Sequence, residues 1–281
     1  MRLIADAGST KSTWIAILAD GSRRTYDTSP INALLMDDAC IRRILADELQ
    51  PLVASAEAVD KIWYYGAGCI PGKPSDDMRL RLTEATGCRD VEVATDMLLA
   101  ARSLCGHKPG IACILGTGSN SCLYDGEAII DNVPPLGYIL GDEGSGAVLG
   151  RTLVSDVFKR RMPHHVAEAF LKYCGLTYNE IISRIYREPA PNRFLASLVP
   201  FIAENIGIPE IEAMTIGAFR SFLQRNVGNY EGCRCLPVNF AGSVAWAFAD
   251  QLGCACRAEG FHLGKIMRRP ADNIADYHIA T

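Results

Sequence analysis

The chain has 281 residues, 49% of them hydrophobic and 21% charged, with a formal net charge of −4. That length suffices for two domains of ordinary size, and the composition is that of a folded globular protein rather than a disordered or fibrous one. Basic residues form no stripe beyond short clusters such as Lys159-Arg160-Arg161 and Arg268-Arg269, which offer no field for nucleic acid. No apolar stretch reaches the roughly 18 residues of a membrane span. The chain enters a strand at once, so no signal peptide is expected. The eleven cysteines are scattered, often in apolar segments such as Ala112-Cys113-Ile114, a usage that predicts a reducing, cytoplasmic home.

In chain order, Leu3-Ile4 leads into Asp6-Ala7-Gly8-Ser9-Thr10-Lys11, and Trp14-Ile15-Ala16-Ile17-Leu18 leads out. The glycine and hydroxyls between two apolar runs read as a tight hairpin. An acid at a strand end, beside small residues with accessible N–H groups, suits a magnesium–phosphate cluster, although an ordinary hairpin turn fits the same residues. A third short strand follows near residues 24–26. The spacing of Ile41, Ile44, Leu45, Leu49 and Leu52 predicts one amphipathic helix over about 38–55. A strand over 61–65, a helix around 77–86, a strand over 91–94 and a helix over 97–103 complete an α/β domain with a mixed sheet.

The next segments repeat the opening layout. Residues 110–115, 119–124 and 128–130 supply three short strands, with the polar glycine hairpin Gly116-Thr117-Gly118-Ser119 between the first two. From Asp142 to about residue 224 the pattern turns helical, with starts marked by Asp142-Glu143, by the capping box Thr177 to Glu180, and by Pro209-Glu210. Strands return at 236–240 and about 258–266, separated by a helix over 244–252. A last turn or helix over 270–277 crosses back to the first domain. The boundaries expected are 1–107 and 108–269, with 270–281 packing on the first domain.

The two hairpins, followed by the strand, small-residue turn and helix of Val238-Asn239-Phe240-Ala241-Gly242-Ser243-Val244-Ala245, resemble the two phosphate motifs and the adenosine motif of the actin-like, sugar-kinase ATPase superfamily. Glycine suits a turn where a flat purine must lie against backbone. Within that superfamily the chain resembles the N-acetylglucosamine kinase group, which includes ATPases of the BadF/BadG type. Asp6 to Thr13, Pro30-Ile31-Asn32, Ala94-Thr95-Asp96, Leu115 to Asn120, Gly141 to Gly146 and Ala241 to Val244 carry the likeness across nearly the whole chain. It implies two ribonuclease-H-like domains, mixed sheets flanked by helices, with a cleft for ATP and sugar between them.

The same resemblance assigns roles. ATP would lie against Gly8, Ser9, Thr10 and Lys11 of the first hairpin, Gly116, Thr117, Gly118 and Ser119 of the second, and Gly242 and Ser243. Asp6 would hold Mg2+ through water, since this ion gives up its hydration shell reluctantly. Lys11 reads equally as a surface lysine. Asn32 and Asp142 would bond sugar hydroxyls, and Gly137 and Tyr138 would line the pocket at the 2-substituent. In resembling kinases an aromatic residue follows the asparagine closely; here Ala33, Leu34 and Leu35 follow. Asp96, at a strand end, is the expected base that takes the sugar hydroxyl proton, where the plainer reading is a helix N-cap. An acid-rich helix start is likewise the plainer reading of Asp142.

The reaction implied is ATP-dependent phosphorylation of an amino sugar, N-acetylglucosamine or glucosamine, at the 6-hydroxyl. The partner is a small sugar, with a homodimer left open. An alternative keeps the fold and makes the chain an activator ATPase for a CoA-ester dehydratase or reductase, which would need a cysteine-held iron–sulfur cluster near Cys105, Cys113 and Cys122. A non-catalytic sugar sensor is the third reading, disfavoured by Asp96 and by a first motif that starts at Asp6. Cys233-Arg234-Cys235 and Cys254-Ala255-Cys256 lack the two-residue gap of a zinc knuckle.

Overall fold

The computed structural model describes residues 1–8, 11–54, 58–66 and 68–279. Among them the strands form two five-stranded sheets. In the first, β1 (Arg2–Ala7) runs antiparallel to β2 (Ser12–Ile17), and β2 antiparallel to β3 (Arg23–Thr28). On its other side β1 runs parallel to β4 (Lys61–Gly66), which runs parallel to β5 (Val91–Ala94). Side chains alternate across this sheet. Leu3 and Ala5 enter a core with Trp14, Ile41, Leu45 and Met78, while Ile4 enters the opposite core with Trp63 and Leu99.

The amphipathic stretch after β3 is not one uniform helix. It comprises α1 (Asp38–Ile44), a π turn over Leu45–Leu49 and α2 (Gln50–Ala54). Pro51 is the physical reason. It lacks the N–H that would bond the carbonyl four residues back, and its ring crowds that carbonyl, so the turn before it widens and the Gln50 N–H reaches Leu45 O. Ser55, the expected helix end, lies outside the described residues. Next, α3 (Lys73–Thr86) starts earlier than residue 77, with Gly72 at its N-cap and Pro74 in its first turn. α4 (Asp96–Cys105) follows β5 directly.

The second sheet repeats the first. β6 (Gly110–Leu115) is antiparallel to β7 (Ser119–Tyr124), and β7 to β8 (Ile129–Asp131). After β8 come α5 (Gly137–Leu140), α6 (Gly146–Phe158), α7 (His164–Cys174), α8 (Tyr178–Tyr186), α9 (Pro191–Ala196), α10 (Val199–Glu204) and α11 (Pro209–Arg225). β9 (Pro237–Ala241) then pairs parallel with β6, and after α12 (Ser243–Ala247) and α13 (Ala249–Glu259), β10 (His262–Met267) pairs parallel with β9. Read from β1 and from β6, the two sheets have the same strand order and the same pattern of parallel and antiparallel neighbours. Ile111, Cys113 and Leu115 of β6 share a core with Leu149, Leu153, Phe219 and Phe222 of the helical block. The last strand starts at His262 rather than near 258, because α13 continues to Glu259 and ends on left-handed Gly260 (φ 71°).

α14 (Ala271–Ile279) packs Ile274 and Ala275 into the core of Ile4 and Trp63. Its His278 stacks on Trp63, ring centroids 4.0 Å apart, and places Nε2 2.8 Å from the Tyr65 hydroxyl. The chain thus folds as two compact units, Met1–Ser103 with Pro270–Thr281, and Leu104–Arg269. No helix of the described residues is long and apolar enough to cross a membrane.

Candidate active site

In the first unit, Asp6 stands near the end of β1, in register with Thr13 of β2 and Tyr65 of β4. The turn beyond it closes through the Gly8 N–H, which donates to Lys11 O at 3.0 Å. Ser9 and Thr10, expected at the phosphates, lie outside the described residues. Lys11 is turned toward β3, its Nζ 2.7 Å from Asp27 Oδ2, and Thr13 Oγ1 donates to the other oxygen of Asp27 at 2.7 Å. Asp27 therefore competes with any phosphate for Lys11, which sequence reasoning had no local signal to show.

The segment Pro30-Ile31-Asn32 is anchored from beneath, where the Ile31 N–H donates to the buried Ser12 Oγ at 3.2 Å. Asn32 Oδ1 accepts the N–H groups of Leu34 and Leu35 at 3.0 and 3.1 Å, an Asx turn that uses the amide oxygen and not the Nδ2 donor. Gly68, with φ +82°, lies against it; a Cβ there would sit 2.9 Å from Asn32 Oδ1. That glycine had not been singled out from the sequence.

Asp96 is the first residue of α4, but the cap is Thr95: its Oγ1 accepts the Leu98 N–H at 3.2 Å. The carboxylate is thereby relieved of the plainer role. Burial pushes its pKa up, opposed by the backbone N–H groups of Met97 and Asp96. The buried Cys69 thiol, itself raised to about 12 by burial and by the Asp96 charge, lies in the same neighbourhood.

The second unit builds its hairpin more firmly. Gly116 N–H bonds Gly118 O at 2.9 Å, and the first N–H groups of α6 donate to it, Gly146 to Gly116 O at 2.8 Å and Ala147 to Thr117 O at 3.1 Å. The positive end of α6 is thus spent on hairpin carbonyls rather than kept for an anion. Thr117 is exposed at the tip. Asp142, held at φ 54°, places Oδ1 3.2 Å from the Ser119 N–H, and a Cβ on Gly118 would lie 3.0 Å from its Oδ2. Burial raises the Asp142 pKa, and the bond from Ser119 opposes that rise. Asp142 does not cap the following helix; Ser145 does, accepting the Val148 N–H at 3.2 Å. Neighbouring Glu143 turns elsewhere, to Arg225 at 2.8 Å.

Gly242 ends β9 with φ +119°, and a Cβ there would come within 2.2 Å of Leu115 O, so only glycine fits. Ser243 opens α12 beside it. Gly137 and Tyr138 fall on α5, whose Tyr138 carbonyl accepts a bond from Arg151. Cys113 and Cys122 are fully buried strand residues whose thiols burial pushes up, Cys122 to about 12. Cys254 and Cys256 lie on α13, where residues two apart do not share a face.

The chain matches no protein-family model and no curated protein. Among solved structures it is 44% identical to a candidate N-acetylglucosamine kinase from Porphyromonas gingivalis, with a TM-score of 0.94 over 100% of this chain and 99% of that one. The chain belongs to the N-acetylglucosamine kinase-like family. A second such candidate kinase, from Chromobacterium violaceum, shares 22% identity with TM-score 0.75 over 98% of each chain. A glucokinase of the ROK family from Streptomyces griseus, solved with glucose and AMPPNP, shares 15% identity with TM-score 0.54 over 99% of this chain and 98% of that one. These two show the fold alone. Membership places the chain among ATP-dependent sugar kinases with two actin-like domains, which accounts for the repeated sheet and for a glycine hairpin at the head of each.

Proposed function

We propose that this kinase transfers the γ-phosphoryl group of ATP to the 6-hydroxyl of an amino sugar, N-acetylglucosamine or glucosamine. The observation that carries the reading is Asp96: a half-buried carboxylate at the carboxyl end of β5, beside a helix cap that Thr95 supplies, and raised in pKa by burial. Such a group takes the proton from the sugar hydroxyl as its oxygen bonds to the γ-phosphorus and the bond to the ADP oxygen breaks. Asn32 Nδ2 donates to one sugar hydroxyl and Asp142 accepts from another. Gly137 and Tyr138 line the 2-substituent.

Phosphate contacts fall to backbone N–H groups. The hairpins of Gly8 to Lys11 and Gly116 to Ser119 supply them, in the second from Thr117 and Gly118, since the Gly116 and Ser119 N–H groups are already bonded, and Gly242 and Ser243 receive the adenosine. Asp6, a hard oxygen donor near the end of β1, fits a hydrated magnesium ion. Magnesium, when bound, neutralises charge on the β- and γ-phosphates. Family membership at 44% identity supports the kinase chemistry, and the nature of the sugar rests on the residues just named.

Labelled sugar tests the assignment. With magnesium-ATP and N-acetylglucosamine carrying 13C at position 6, that carbon signal should shift and split by coupling to phosphorus. The 6-deoxy sugar should bind and remain unphosphorylated. Coupling at any other carbon would reject the position, and no coupling with either amino sugar would reject the substrate.

A further inference from the structure

The second unit holds a cavity of about 700 Å3 bordered by Gly141, Glu143 and Gly144. Asp142, between them in sequence, faces Gly118 and Ser119 instead. One loop therefore has the cavity on some of its residues and the proposed sugar carboxylate on another.

Most charges around the cavity are already matched. Glu143 pairs with Arg225 at 2.8 Å, and Asp156 with Arg161 at 3.5 Å. Glu210 sits in the first turn of α11, where the helix N-terminus favours a negative charge. Arg151 is different. It donates to the Tyr138 carbonyl, and among the described residues no carboxylate lies within ion-pair distance of it. Beside it Ile139 and Leu140, 71% and 69% exposed, give the cavity an apolar wall that faces no core.

The loop is also under tension. Leu136 (φ 60°) and Asp142 (φ 54°) are left-handed without being glycine, a conformation that is strained for a branched apolar side chain such as Leu136 and milder for Asp142, whose short polar side chain tolerates it. Arg151 at Tyr138 O and the Asp142 N–H at Pro135 O, 3.0 Å away, hold it in place.

We propose that this cavity binds a small anion with an apolar body, a carboxylate or a phosphate ester, whose acid group takes Arg151 and whose body covers Ile139 and Leu140. An acid group there competes with the Tyr138 carbonyl for the guanidinium. Occupancy thus loosens α5 and alters how Asp142 is held, and with it the affinity for sugar. The coupling rests on the sugar-kinase reading; the anion site itself does not.

Two probes, 4-fluorobenzoate and 4-fluorophenyl phosphate, are titrated by fluorine NMR into the whole protein without sugar or nucleotide. At least one should bind, undisplaced by saturating AMPPNP, and Arg151→Gln should weaken it by about tenfold or more. Gly217→Phe fills the cavity from α11, where an added Cβ meets nothing within 4 Å, and should abolish binding without lowering thermal stability. No binding of either probe at millimolar concentration, or binding unchanged in both variants, overturns the site. Calorimetry with N-acetylglucosamine, with and without the bound probe, then reads the coupling. A change in sugar affinity of about threefold or more, lost in Arg151→Gln, is expected. Equal affinities overturn the coupling. If the probe binds and the sugar binds in neither condition, the anion site stands and the sugar reading falls.

Discussion

Asp96 and Asp142 are both raised in pKa by burial, yet their settings differ in kind. Asp96 sits at the head of a ten-residue helix, beside a cap that Thr95 supplies, and only the N–H groups of its own helix start favour its charged form against burial. Asp142 sits in a left-handed loop and spends one oxygen on the Ser119 N–H of the phosphate hairpin. The first is a desolvated carboxylate on a rigid mount, suited to taking a proton. The second accepts its hydrogen bond from a different element, the phosphate hairpin, which suits it to holding a ligand and that hairpin in register. Similar pKa directions therefore carry different chemical roles, and the hydrogen-bond partners tell them apart.

The largest effect should come from Asp96→Asn. Turnover should fall by about two to four powers of ten, with the sugar KM within a few-fold of the parent. Stability moves the other way. The folded pKa of Asp96 lies above its ordinary 3.8, so its contribution is favourable at pH below that value and is lost as pH rises through the folded pKa. At neutral pH the ionised group is a net cost, and Asp96→Asn should unfold at the same temperature or higher. A lower melting temperature would contradict the desolvated setting. By the same shift, kcat/KM should fall on the acid side at a pH above the ordinary carboxylate value, and that limb should vanish in the variant.

Asp142→Asn should act on binding. Its sugar KM should rise by about ten- to hundred-fold, as expected for a hydrogen bond to a charged group, with a smaller change in kcat. An equal loss in kcat would merge the two carboxylates into one role. Gly118→Ala sharpens the same point, because the new methyl would press on the Asp142 carboxylate from 3.0 Å. The side chain can give by a few tenths of an ångström, so only a few-fold rise in sugar KM is expected, read by steady-state kinetics. Smallest should be Lys11→Met. Its pair with Asp27 is half-exposed on both sides, where such bridges are worth about 0.5 kcal/mol. The nucleotide KM should barely move; a large rise would mean that Lys11 leaves Asp27 for phosphate.

How much of this was legible in the sequence depended on range. Asp96 was visible as an acid between an apolar strand and a helix, and the two glycine hairpins were visible as interruptions of apolar runs. That Thr95 rather than Asp96 would cap α4 was not, since both residues cap well and geometry alone decides. The bond from Ser119 to Asp142 joins residues 23 apart through a left-handed backbone that no local pattern marks. Gly68 was overlooked because its reason, room for the Asn32 amide, lies in another loop. Pro51 did carry a signal for the π turn, and the helical spacing around it hid the break. Arg151 looked like any exposed arginine on a helix.

The most direct test is ADP release by the purified protein with magnesium-ATP across a panel of hexoses and amino sugars. The account predicts that N-acetylglucosamine or glucosamine raises the rate far above the sugar-free rate, and that Asp96→Asn removes the increment. A sugar-free rate as fast as any rate with sugar would contradict it.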